Sequence, residues 1–426
     1  MGIFKNPSHG FVTSNPVYVA YPILGLDVGN KDIKSVFETL RNTMKIPNIL
    51  APMPEKRDII NESIFTDSVS KESKKDLLLE NIHFYIDSPA VSREFNRQFY
   101  AAGKLATEQK TKWEIREKTK KHDNDQIIIN ALVTAAIRAL EYFKVENNTV
   151  HSKMVLSISL PVDETKNKEE FKSKFKDHKH TIKFLDVPHF QNITVYLEFP
   201  EVYTPTECLS GIIDLSIAEE TNVHIADSSL IKKKILVPDF GGGTFDLILV
   251  ENGKIKKART HKIGINEFIQ QIMDEFESKH DFAMTSREKV VERMKDLENP
   301  YQYKVYGRWV DFKDIAMKHF FACAQSIYTI IDSEWKNTDD IDLTLWIGGG
   351  SIPTKSHLQT INNDKYAFKF VDPIPRPTIE RIKMEEQGRE FPRVPDEEIV
   401  IYLNARGNYK LARRMEKKRQ EKALQG

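Results

Sequence analysis

Two glycine-containing turns carry the residues of this chain that are best suited to chemistry. The first lies in LGLDVGNKDIK, where Asp27 precedes Gly29 and Asn30, and the second lies in VPDFGGGTFD, where Asp239 precedes three consecutive glycines. Glycine is a poor strand residue because it loses the most conformational freedom on folding. A glycine turn between two strands presents backbone N–H groups that point the same way and form a small anion-binding concavity. Both turns are therefore candidates for binding phosphate groups.

The polar side chains around the two turns suit a cation held against phosphate. Asp27, Asp239 and Asp246 repel phosphate themselves but could hold Mg²⁺ together with its water molecules. Lys34 could place a positive charge on a phosphate, and Thr244 adds a hydroxyl donor. A single turn of this kind is more often an ordinary surface turn with solvated aspartates. Two matching turns, followed by a further triple glycine in WIGGGS, favour phosphate binding.

Two common nucleotide-binding motifs are absent from the sequence. There is no G-x-x-x-x-G-K-[ST] motif, which excludes a P-loop protein. There is also no strand followed by G-x-G-x-x-G and a helix, which argues against a dinucleotide-binding fold. Here the glycines lie between two strands, which is a different geometry.

The two turns belong to an internal similarity. Each copy consists of an apolar strand, an aspartate, one residue, a glycine, a small polar residue and a second strand, and the copies lie about half the chain length apart. This spacing is expected for two related domains. Elsewhere the patterns predict short sheets and long helices, including a buried helix over 127–143 and a helical stretch in SREFNRQFYAAGKLA. The predicted fold class is α/β.

Composition narrows the class of protein. The chain has 426 residues, enough for two domains, and a formal net charge of +1 from 63 basic and 62 acidic residues. That balance argues against a protein that binds nucleic acid or a membrane surface over its whole face. Cys208 and Cys323 lie in apolar helical patterns and are expected to be buried thiols. Without a signal-peptide pattern or an apolar run of about 18 residues, we expect a cytoplasmic protein with no membrane partner.

Three motifs together resemble the superfamily of actins, sugar kinases and DnaK-type chaperones. LDVGNKDIK is similar to its first phosphate loop, DFGGGTFD to its second, and WIGGGS to its adenosine motif, in the same order along the chain. Within the superfamily, SLPVD, FPEVYT and the terminal NARG resemble the ParM-like bacterial actins, which are cytoplasmic filament ATPases that segregate plasmids. The resemblance implies a two-domain actin-like ATPase fold, each domain a mixed β-sheet flanked by helices, with the nucleotide in the interdomain cleft.

The same resemblance implies domain limits. Domain I would cover 17–232, with a variable outer subdomain at about 41–125, and the C-terminal helix 400–426 would return to it. Domain II would cover 233–399 and carry the second phosphate loop and the adenosine motif. The nucleotide would be ATP or GTP, bound with Mg²⁺.

The site residues implied by the resemblance fall into groups by role. The phosphate loops would consist of Asp27, Gly29, Asn30 and Lys34, and of Asp239, Gly241, Gly242, Gly243 and Thr244. The adenine and ribose would lie beside Gly348, Gly349, Gly350 and Ser351, with Lys295 and Asp296 as further ribose contacts. Glu201 of FPEVYT would orient the attacking water, Asp239 would share the catalytic role, and Asp27 and Asp239 would hold Mg²⁺ through water.

The implied function is nucleotide-dependent polymerisation. ATP hydrolysis would control disassembly of a homopolymer filament, and a centromere-binding adaptor protein would link the filament to plasmid DNA. A small-molecule kinase of the same superfamily and a nucleotide-binding scaffold that does not polymerise remain as alternatives. The basic terminal stretch LARRMEKKRQEK is either a docking surface for an acidic partner or a solvated helix face.

Overall fold

The computed structural model of the chain describes residues 20–57, 73–115, 120–219, 226–296, 298–371 and 400–425. These residues form three sheets and a separate β-hairpin, with helices packed on the sheets. The expected domain limit at residue 17, the end of domain II over 372–399, and parts of the outer segment at 58–72 and 116–119 lie outside the described residues.

Strands and helices are numbered in chain order. The strands are β1 (Ile23–Val28), β2 (Asp32–Phe37), β3 (Thr39–Pro47), β4 (Ile49–Pro52), β5 (His83–Asp87), β6 (Phe99–Ala102), β7 (Trp113–Glu114), β8 (Thr149–Lys153), β9 (Val155–Ile158), β10 (Lys179–Phe184), β11 (Thr194–Glu198), β12 (Val202–Tyr203), β13 (Lys234–Phe240), β14 (Phe245–Glu251), β15 (Lys254–His261), β16 (Gln302–Val305), β17 (Arg308–Asp311), β18 (Leu343–Trp346) and β19 (Phe368–Phe370). The helices are α1 (Lys74–Glu80), α2 (Gly103–Thr107), α3 (Asp125–Tyr142), α4 (Lys168–Phe175), α5 (Leu209–Ser216), α6 (Ile265–His280), α7 (Arg287–Lys295), α8 (Lys313–Lys336), α9 (Ser351–Asn362) and α10 (Leu403–Gln425). Short 3₁₀ turns lie at Lys121–Asp123, Val162–Asn167 and Ser228–Lys232.

Two five-stranded sheets share one plan around the predicted turns. In the first, with strand order β12-β9-β1-β2-β3, β1 runs antiparallel to β2 and parallel to β9. In the second, with strand order β15-β14-β13-β18-β19, β13 runs antiparallel to β14 and parallel to β18. Every residue of β1 is buried, as expected for a strand covered on both faces. The α/β class and the internal similarity predicted from the sequence are confirmed.

A seven-stranded sheet, with strand order β7-β4-β6-β5-β10-β11-β8, forms the outer part of the first half of the chain. The helical stretch predicted in SREFNRQFYAAGKLA is wrong for all but its end: residues 93–97 form turns, Phe99–Ala102 is strand β6, and only the part from Gly103 onward is helix α2. This strand pairs with β4 on one side and β5 on the other. Burial of Tyr100, Ala101 and Ala102 within the sheet outweighs the helix propensity of alanine.

The buried helix predicted over 127–143 is α3, which packs against strands of both the first and the outer sheet. The side chain of Asn124 caps it by accepting a hydrogen bond from the N–H of Ile127 at 3.1 Å. The fully buried Arg138 donates from Nε to Ser35 Oγ at 3.0 Å and from a guanidinium N–H to Asn42 Oδ1 at 2.9 Å. Helix α3 thereby fixes the β2–β3 hairpin.

The C-terminal helix α10 packs directly on β1 and α5 through two glycines. A Cβ atom at Gly25 would lie 2.4 Å from the carbonyl oxygen of Ala405. A Cβ atom at Gly407 would lie 1.7 Å from the carbonyl oxygen of Ser210. Because these neighbours are backbone atoms, the three elements meet at a distance that only glycine allows.

A buried ion cluster strengthens the contact between α10 and α5. Asp214 of α5 pairs with Arg406 Nε at 2.8 Å and with Lys410 Nζ at 2.8 Å, and all three side chains are almost completely buried. Further along α10, Glu416 accepts a hydrogen bond from Tyr203 OH at 2.6 Å. Most side chains from residue 413 onward are exposed, so the basic stretch of α10 presents a solvated face.

We predict that Gly407→Ala lowers the free energy of unfolding by about 3 kcal/mol, the upper end of the usual cost of adding a methyl group to a packed core. The cost is high because the new methyl group meets backbone atoms and not a movable side chain. Alanine is the better helix former by only about 1 kcal/mol, which does not offset the clash. The measurement is the urea denaturation midpoint.

Gly243→Ala is the matched control, since a Cβ atom there has no neighbour within 4 Å. Its free energy of unfolding should stay within about 0.5 kcal/mol of wild type. Equal midpoints for the two variants would contradict the close packing of α10 on α5.

Candidate functional site

One cleft, with a volume of about 1830 Å³, collects the two glycine turns and the triple glycine after β18. Of the residues predicted from the sequence, those that line it are Asp27, Gly29, Asn30, Lys34, Asp239, Gly241, Gly242, Gly243, Thr244, Lys295, Gly348, Gly349 and Gly350. The structure therefore brings together groups that are separated by more than half of the chain.

The two turns have the same internal geometry. The N–H of Gly29 donates to the carbonyl oxygen of Asp32 at 2.9 Å, and the N–H of Gly241 donates to that of Thr244 at 2.9 Å. Each of these glycines stands two positions after an aspartate. A Cβ atom at Gly243 would meet no atom within 4 Å, so the backbone of the second turn borders open space. This arrangement lets an anion approach the backbone closely.

Helix α6 begins on the second turn. The N–H groups of Ile265 and Asn266 donate to the carbonyl oxygens of Gly241 at 3.2 Å and Gly242 at 2.9 Å. A Cβ atom at Gly264, just before the helix, would lie 2.2 Å from the oxygen of Gly242. The turn is thus fixed by the hydrogen bonds from the start of α6 and by the close packing of Gly264, and the positive end of the α6 dipole lies against it.

Carboxylates are concentrated between the two turns. Asp27 lies opposite Lys34 in the β1–β2 register, and the two side chains pair at 3.2 Å. Asp239 lies opposite Asp246 in the β13–β14 register, and Asp246 accepts hydrogen bonds from Thr244 at 3.1 Å and from a second threonine, in β15, at 2.5 Å. Burial, then repulsion from Asp246 and Asp27, raise the pKa of Asp239 to about 6.

These charges fit a bound cation. Burial lowers the pKa of Lys34, but Asp27 and Asp32 outweigh that effect and bring it to about 12, so this lysine is charged at neutral pH. Nowhere in the described ranges do three His, Cys, Asp or Glu side chains form a direct metal-binding set. Mg²⁺ often keeps several water ligands, so Asp27 and Asp239 would hold it through water. The repulsion that raises the Asp239 pKa is what such a cation would relieve.

The triple glycine packs against the second turn. Gly348 has a φ of +85°, and a Cβ atom there would lie 2.5 Å from Asp239 Oδ1. The N–H of Gly350 donates to the carbonyl oxygen of Phe240 at 2.8 Å. Ser351 does not line the cleft; it is buried, and its hydroxyl donates to the oxygen of Gly348 at 2.7 Å at the start of α9. Its role is to shape the turn.

Helices α6, α7 and α8 contribute both apolar and polar side chains to the cleft lining. Together with Tyr301, the apolar and aromatic ones include Ile269, Met273, Met294, Met317 and Phe320, and the polar ones include Gln270, Arg287 and Lys313. Lys295 also lines the cleft, but the predicted ribose contact Asp296 does not. Instead, Asp296 pairs with Arg293 at 2.8 Å and accepts the N–H groups of Glu298 and Asn299 at the end of α7. A flat ring would fit between such side chains.

The structure does not bring Glu201 to this cleft. Its carboxylate pairs with Lys176 at 3.3 Å and with Arg419 of α10 at 3.1 Å, and it is not among the lining residues. Strand β12 starts immediately after Glu201, and its pairing with β9 fixes the direction of this segment. The predicted water-orienting role of Glu201 therefore has no geometric support.

A different carboxylate, Glu207, lines the cleft, and the sequence motifs do not identify it. Its side chain pairs with the ammonium group of Lys121, which is also buried. Burial raises the pKa of Glu207 to about 7, repulsion from Asp27 and Asp246 acts the same way, and Lys121 opposes the rise. Only the tertiary structure reveals this residue, because its neighbours in TPTEC form no recognisable pattern.

The two cysteines are buried thiols, as predicted. Cys208 lies in the cleft wall, where its thiol is 3.8 Å from Asp239 Oδ2. Burial, followed by the charge of Asp239, raises the pKa of the Cys208 thiol well above its usual range. Burial also raises the pKa of Cys323. Neither group is a reactive thiolate at neutral pH.

We predict that Asp239→Asn gains stability relative to wild type as pH rises from about 4.5 to 7.5. The folded state binds the Asp239 proton more tightly than the unfolded state. The contribution of Asp239 to the free energy of unfolding is therefore fully present below the ordinary pKa of an aspartate and is lost as pH rises through about 6. Asparagine carries no such proton, and the stability difference should change by about 2–3 kcal/mol over this interval. Denaturant titrations of the ligand-free protein at both pH values measure it.

Asp227→Asn is the control of opposite sign. Hydrogen bonds from Ser229, together with Lys369, hold the pKa of Asp227 at about 2, so its contribution is lost only as pH falls below the ordinary range. The difference in the free energy of unfolding between this variant and wild type should be nearly the same at the two pH values. A constant difference for Asp239→Asn as well would show that the carboxylates do not repel one another as described.

Two family models match the chain in succession. Residues 25–199 match the N-terminal domain of actin-like proteins, and residues 237–360 match the C-terminal part of the archaeal actin homologue, MreB-like. The two matches contain the two glycine turns. A comparison with curated protein sequences finds no match.

Solved structures give the same result for the fold. ParM of Bacillus thuringiensis with AMPPNP is 18% identical, with a TM-score of 0.67 over 93% of this chain and 99% of that one. The actin-like protein Alp7A is 14% identical, with a TM-score of 0.68 over 94% and 98%. The apo pSK41 ParM protein is 16% identical, with a TM-score of 0.58 over 95% and 99%. The chain has the two-domain actin-like fold that these structures share.

Proposed function

We propose that the chain is a nucleotide-dependent, filament-forming ATPase that segregates plasmid DNA in the bacterial cytoplasm. In this proposal ATP-bound subunits polymerise, hydrolysis controls filament disassembly, and a centromere-binding adaptor protein connects the filament to DNA. The near-neutral net charge of +1 suits a protein that contacts DNA through an adaptor rather than by itself. None of the described helices is long and apolar enough to cross a membrane.

One observation carries the proposal: both Asp-Gly turns and the triple glycine converge in one cleft of an actin-like fold. Asp239 lies at the centre of this arrangement, against Gly348 on one side and Cys208 on the other. The likeness to B. thuringiensis ParM structures with AMPPNP, with ADP and with ATP supports a nucleotide as the ligand.

The residues of the cleft suggest how it would bind a nucleoside triphosphate. The N–H groups of the two turns and the Lys34 ammonium would bind the phosphates, and the apolar side chains of α6, α7 and α8 would contact the base. Lys295 and the triple glycine would lie beside the sugar. A hydrated Mg²⁺ held by Asp27 and Asp239 would offset the phosphate charge.

Hydrolysis requires a group that orients water in line with the terminal phosphate. Glu207 is better placed for this role than Glu201, because it lines the cleft and lies close to the charge of Asp27. Burial raises the pKa of Glu207 and the ammonium group of Lys121 lowers it, so the ion pair favours the charged form of the carboxylate. We therefore propose Glu207 as the residue that orients and polarises the attacking water, with Asp239 as its partner in the site.

We predict that adding Mg·ATP to the protein raises right-angle light scattering, which then decays as phosphate is released. Glu207→Gln should keep nucleotide binding but slow phosphate release about 10²-fold or more and prolong the scattering signal. Glu201→Gln, which removes the pairs with Lys176 and Arg419 outside the cleft lining, should release phosphate at close to the wild-type rate.

The outcomes separate the candidate functions. Slow release in Glu201→Gln with normal release in Glu207→Gln would reverse the assignment of the two glutamates. A flat scattering trace with phosphate transfer only after a metabolite mixture is added would indicate the kinase alternative. A flat trace without phosphate release would indicate a scaffold.

We predict that Gly243→Ala weakens binding of Mg·ADP by about tenfold or more while leaving the fold intact. The added methyl group projects into open space where a phosphate would approach the turn, so the loss appears only in the complex. Isothermal titration calorimetry measures the affinity. Gly253→Ala on the β14–β15 turn, which does not line the cleft, is the control for lost stability, because its φ of +69° makes alanine strained there and nucleotide affinity should not change. Unchanged affinity in Gly243→Ala would exclude the second turn as a phosphate site.

A further inference from the structure

Lys121 is a buried lysine that reaches the cleft from the outer segment. It lies on the short 3₁₀ turn before α3, and its side chain is 8% exposed. Its ammonium group pairs with the Glu207 carboxylate, which is 18% exposed. A buried lysine needs a specific partner, because desolvation of the charge is costly. Here that partner is the carboxylate proposed to orient water.

The turn that carries Lys121 is held rigidly from behind. The carboxylate of Glu164 accepts hydrogen bonds from the backbone N–H groups of Lys121 and His122, each at 2.9 Å, and from His122 Nδ1 at 2.7 Å. On the outer side, Asp123 pairs with Lys174 at 3.1 Å. Since Glu164 is itself buried, the backbone of Lys121 has a fixed position relative to the cleft.

The backbone at Glu207 is equally constrained. The N–H of Leu209 donates to the carbonyl oxygen of Glu207 at 2.6 Å, which closes a three-residue γ-turn around Cys208. Cys208 has φ +63° and ψ −46°, a strained conformation for a residue with a side chain. The backbone thus fixes the position of the Glu207 Cα atom, and the ion pair with Lys121 fixes the position of its carboxylate.

The two lysines in this corner of the cleft form ion pairs with different carboxylates. Lys34 of β2 pairs with Asp27, whereas Lys121 pairs with Glu207, and the two ammonium groups repel each other. Asp246 of β14 also faces Glu207 and, with Asp27, repels it. Without Lys121, Glu207 would lose its ion-pair partner while the repulsion from Asp27 and Asp246 remained, and its carboxylate would be displaced or protonated.

We propose that Lys121 is a positioning residue that holds the Glu207 carboxylate, in its charged form, at the point where it orients water. The inference rests on the proposed function of the cleft. It adds that the turn from Lys121 to Asp123, within the segment for which the sequence gives no motif, is part of the hydrolytic site. Lys121 acts through Glu207 and not on the nucleotide itself.

The test compares Lys121→Met, Lys121→Arg, Glu207→Gln and the double variant Lys121→Met/Glu207→Gln with wild type. Single-turnover hydrolysis of Mg·ATP, affinity for Mg·ADP, and thermal unfolding of the ligand-free protein are measured for each. Lys174→Met is the matched control, because it removes a lysine from the outer side of the same turn without touching Glu207.

We predict that Lys121→Met slows hydrolysis about 10²-fold with less than a threefold change in Mg·ADP affinity. Lys121→Arg should recover at least a tenth of the wild-type rate, since it keeps the charge. The double variant should be no slower than Glu207→Gln, as expected for residues that act as a unit. In the ligand-free protein, Lys121→Met should lower the melting temperature and the double variant should regain part of the loss, because the buried carboxylate is then neutral.

Three results would overturn the inference. The first is a wild-type hydrolysis rate in Lys121→Met when Glu207→Gln is slow, which would leave the proposed function standing. The second is an equal loss in Lys174→Met, which would reduce Lys121 to a support of the turn. The third is a wild-type protein that binds no nucleotide or releases no phosphate, which would overturn the proposed function together with the inference.

Discussion

Four carboxylates share one corner of the cleft, and their mutual repulsion is the constraint on which the rest of the site depends. Asp27, Glu207 and the pair Asp239–Asp246 come from three different parts of the chain. Two like charges about 4 Å apart repel by about 4 kcal/mol at the effective dielectric constant near a protein surface. Lys34 and Lys121 neutralise part of this charge. Burial, with repulsion among these carboxylates as a further cause, raises the pKa of Asp239 and of Glu207, so this corner favours a proton or a cation.

Packing of backbone against backbone is what keeps these charges together. The Asp239 side chain cannot move towards the triple glycine, because Gly348 lies directly against it. The start of α5, one residue after Cys208, is held by Gly407 of α10, which contacts the backbone of Ser210. The ion cluster around Asp214 fixes the other end of α5 to the same helix. Glycine contacts of this kind have no flexible side chain to absorb a shift, so the last helix of the chain determines the geometry of the cleft wall.

The features predicted correctly from the sequence are those encoded by short stretches. An aspartate and glycine between two apolar runs specify a hairpin locally, and the apolar circumference of α3 specifies burial without reference to its partners. For the same reason both glycine turns and the triple glycine were predictable as structural features, although Ser351 is used by the start of α9 and Asp296 by the end of α7.

What could not be predicted depends on pairs of residues distant in sequence. Lys121 and Glu207 are 86 positions apart, and neither lies in a recognisable pattern. Glu201 fits a motif, but its carboxylate is directed to Arg419 of α10, more than 200 positions away. Strand β6 was mistaken for helix because the alanines that suggest a helix are buried between two other strands. Each of these outcomes is decided by tertiary contacts that local propensity does not contain.

The outer sheet and the first turn are linked by a chain of buried hydrogen bonds around Asn48. Its side-chain amide donates to the carbonyl oxygen of Gly29 at 2.8 Å, and its backbone N–H donates to that of Lys31 at 2.7 Å. Gln126 and Asn130 of α3 donate to the backbone and side-chain oxygens of Asn48 at 2.9 and 2.8 Å. Asn48 is 1% exposed, so leaving one of these groups without a partner would cost about 1–3 kcal/mol. A shift of the first turn must therefore move Asn48, α3 and the adjoining outer strands together. Such a connection gives the contents of the cleft a direct mechanical link to the outer sheet.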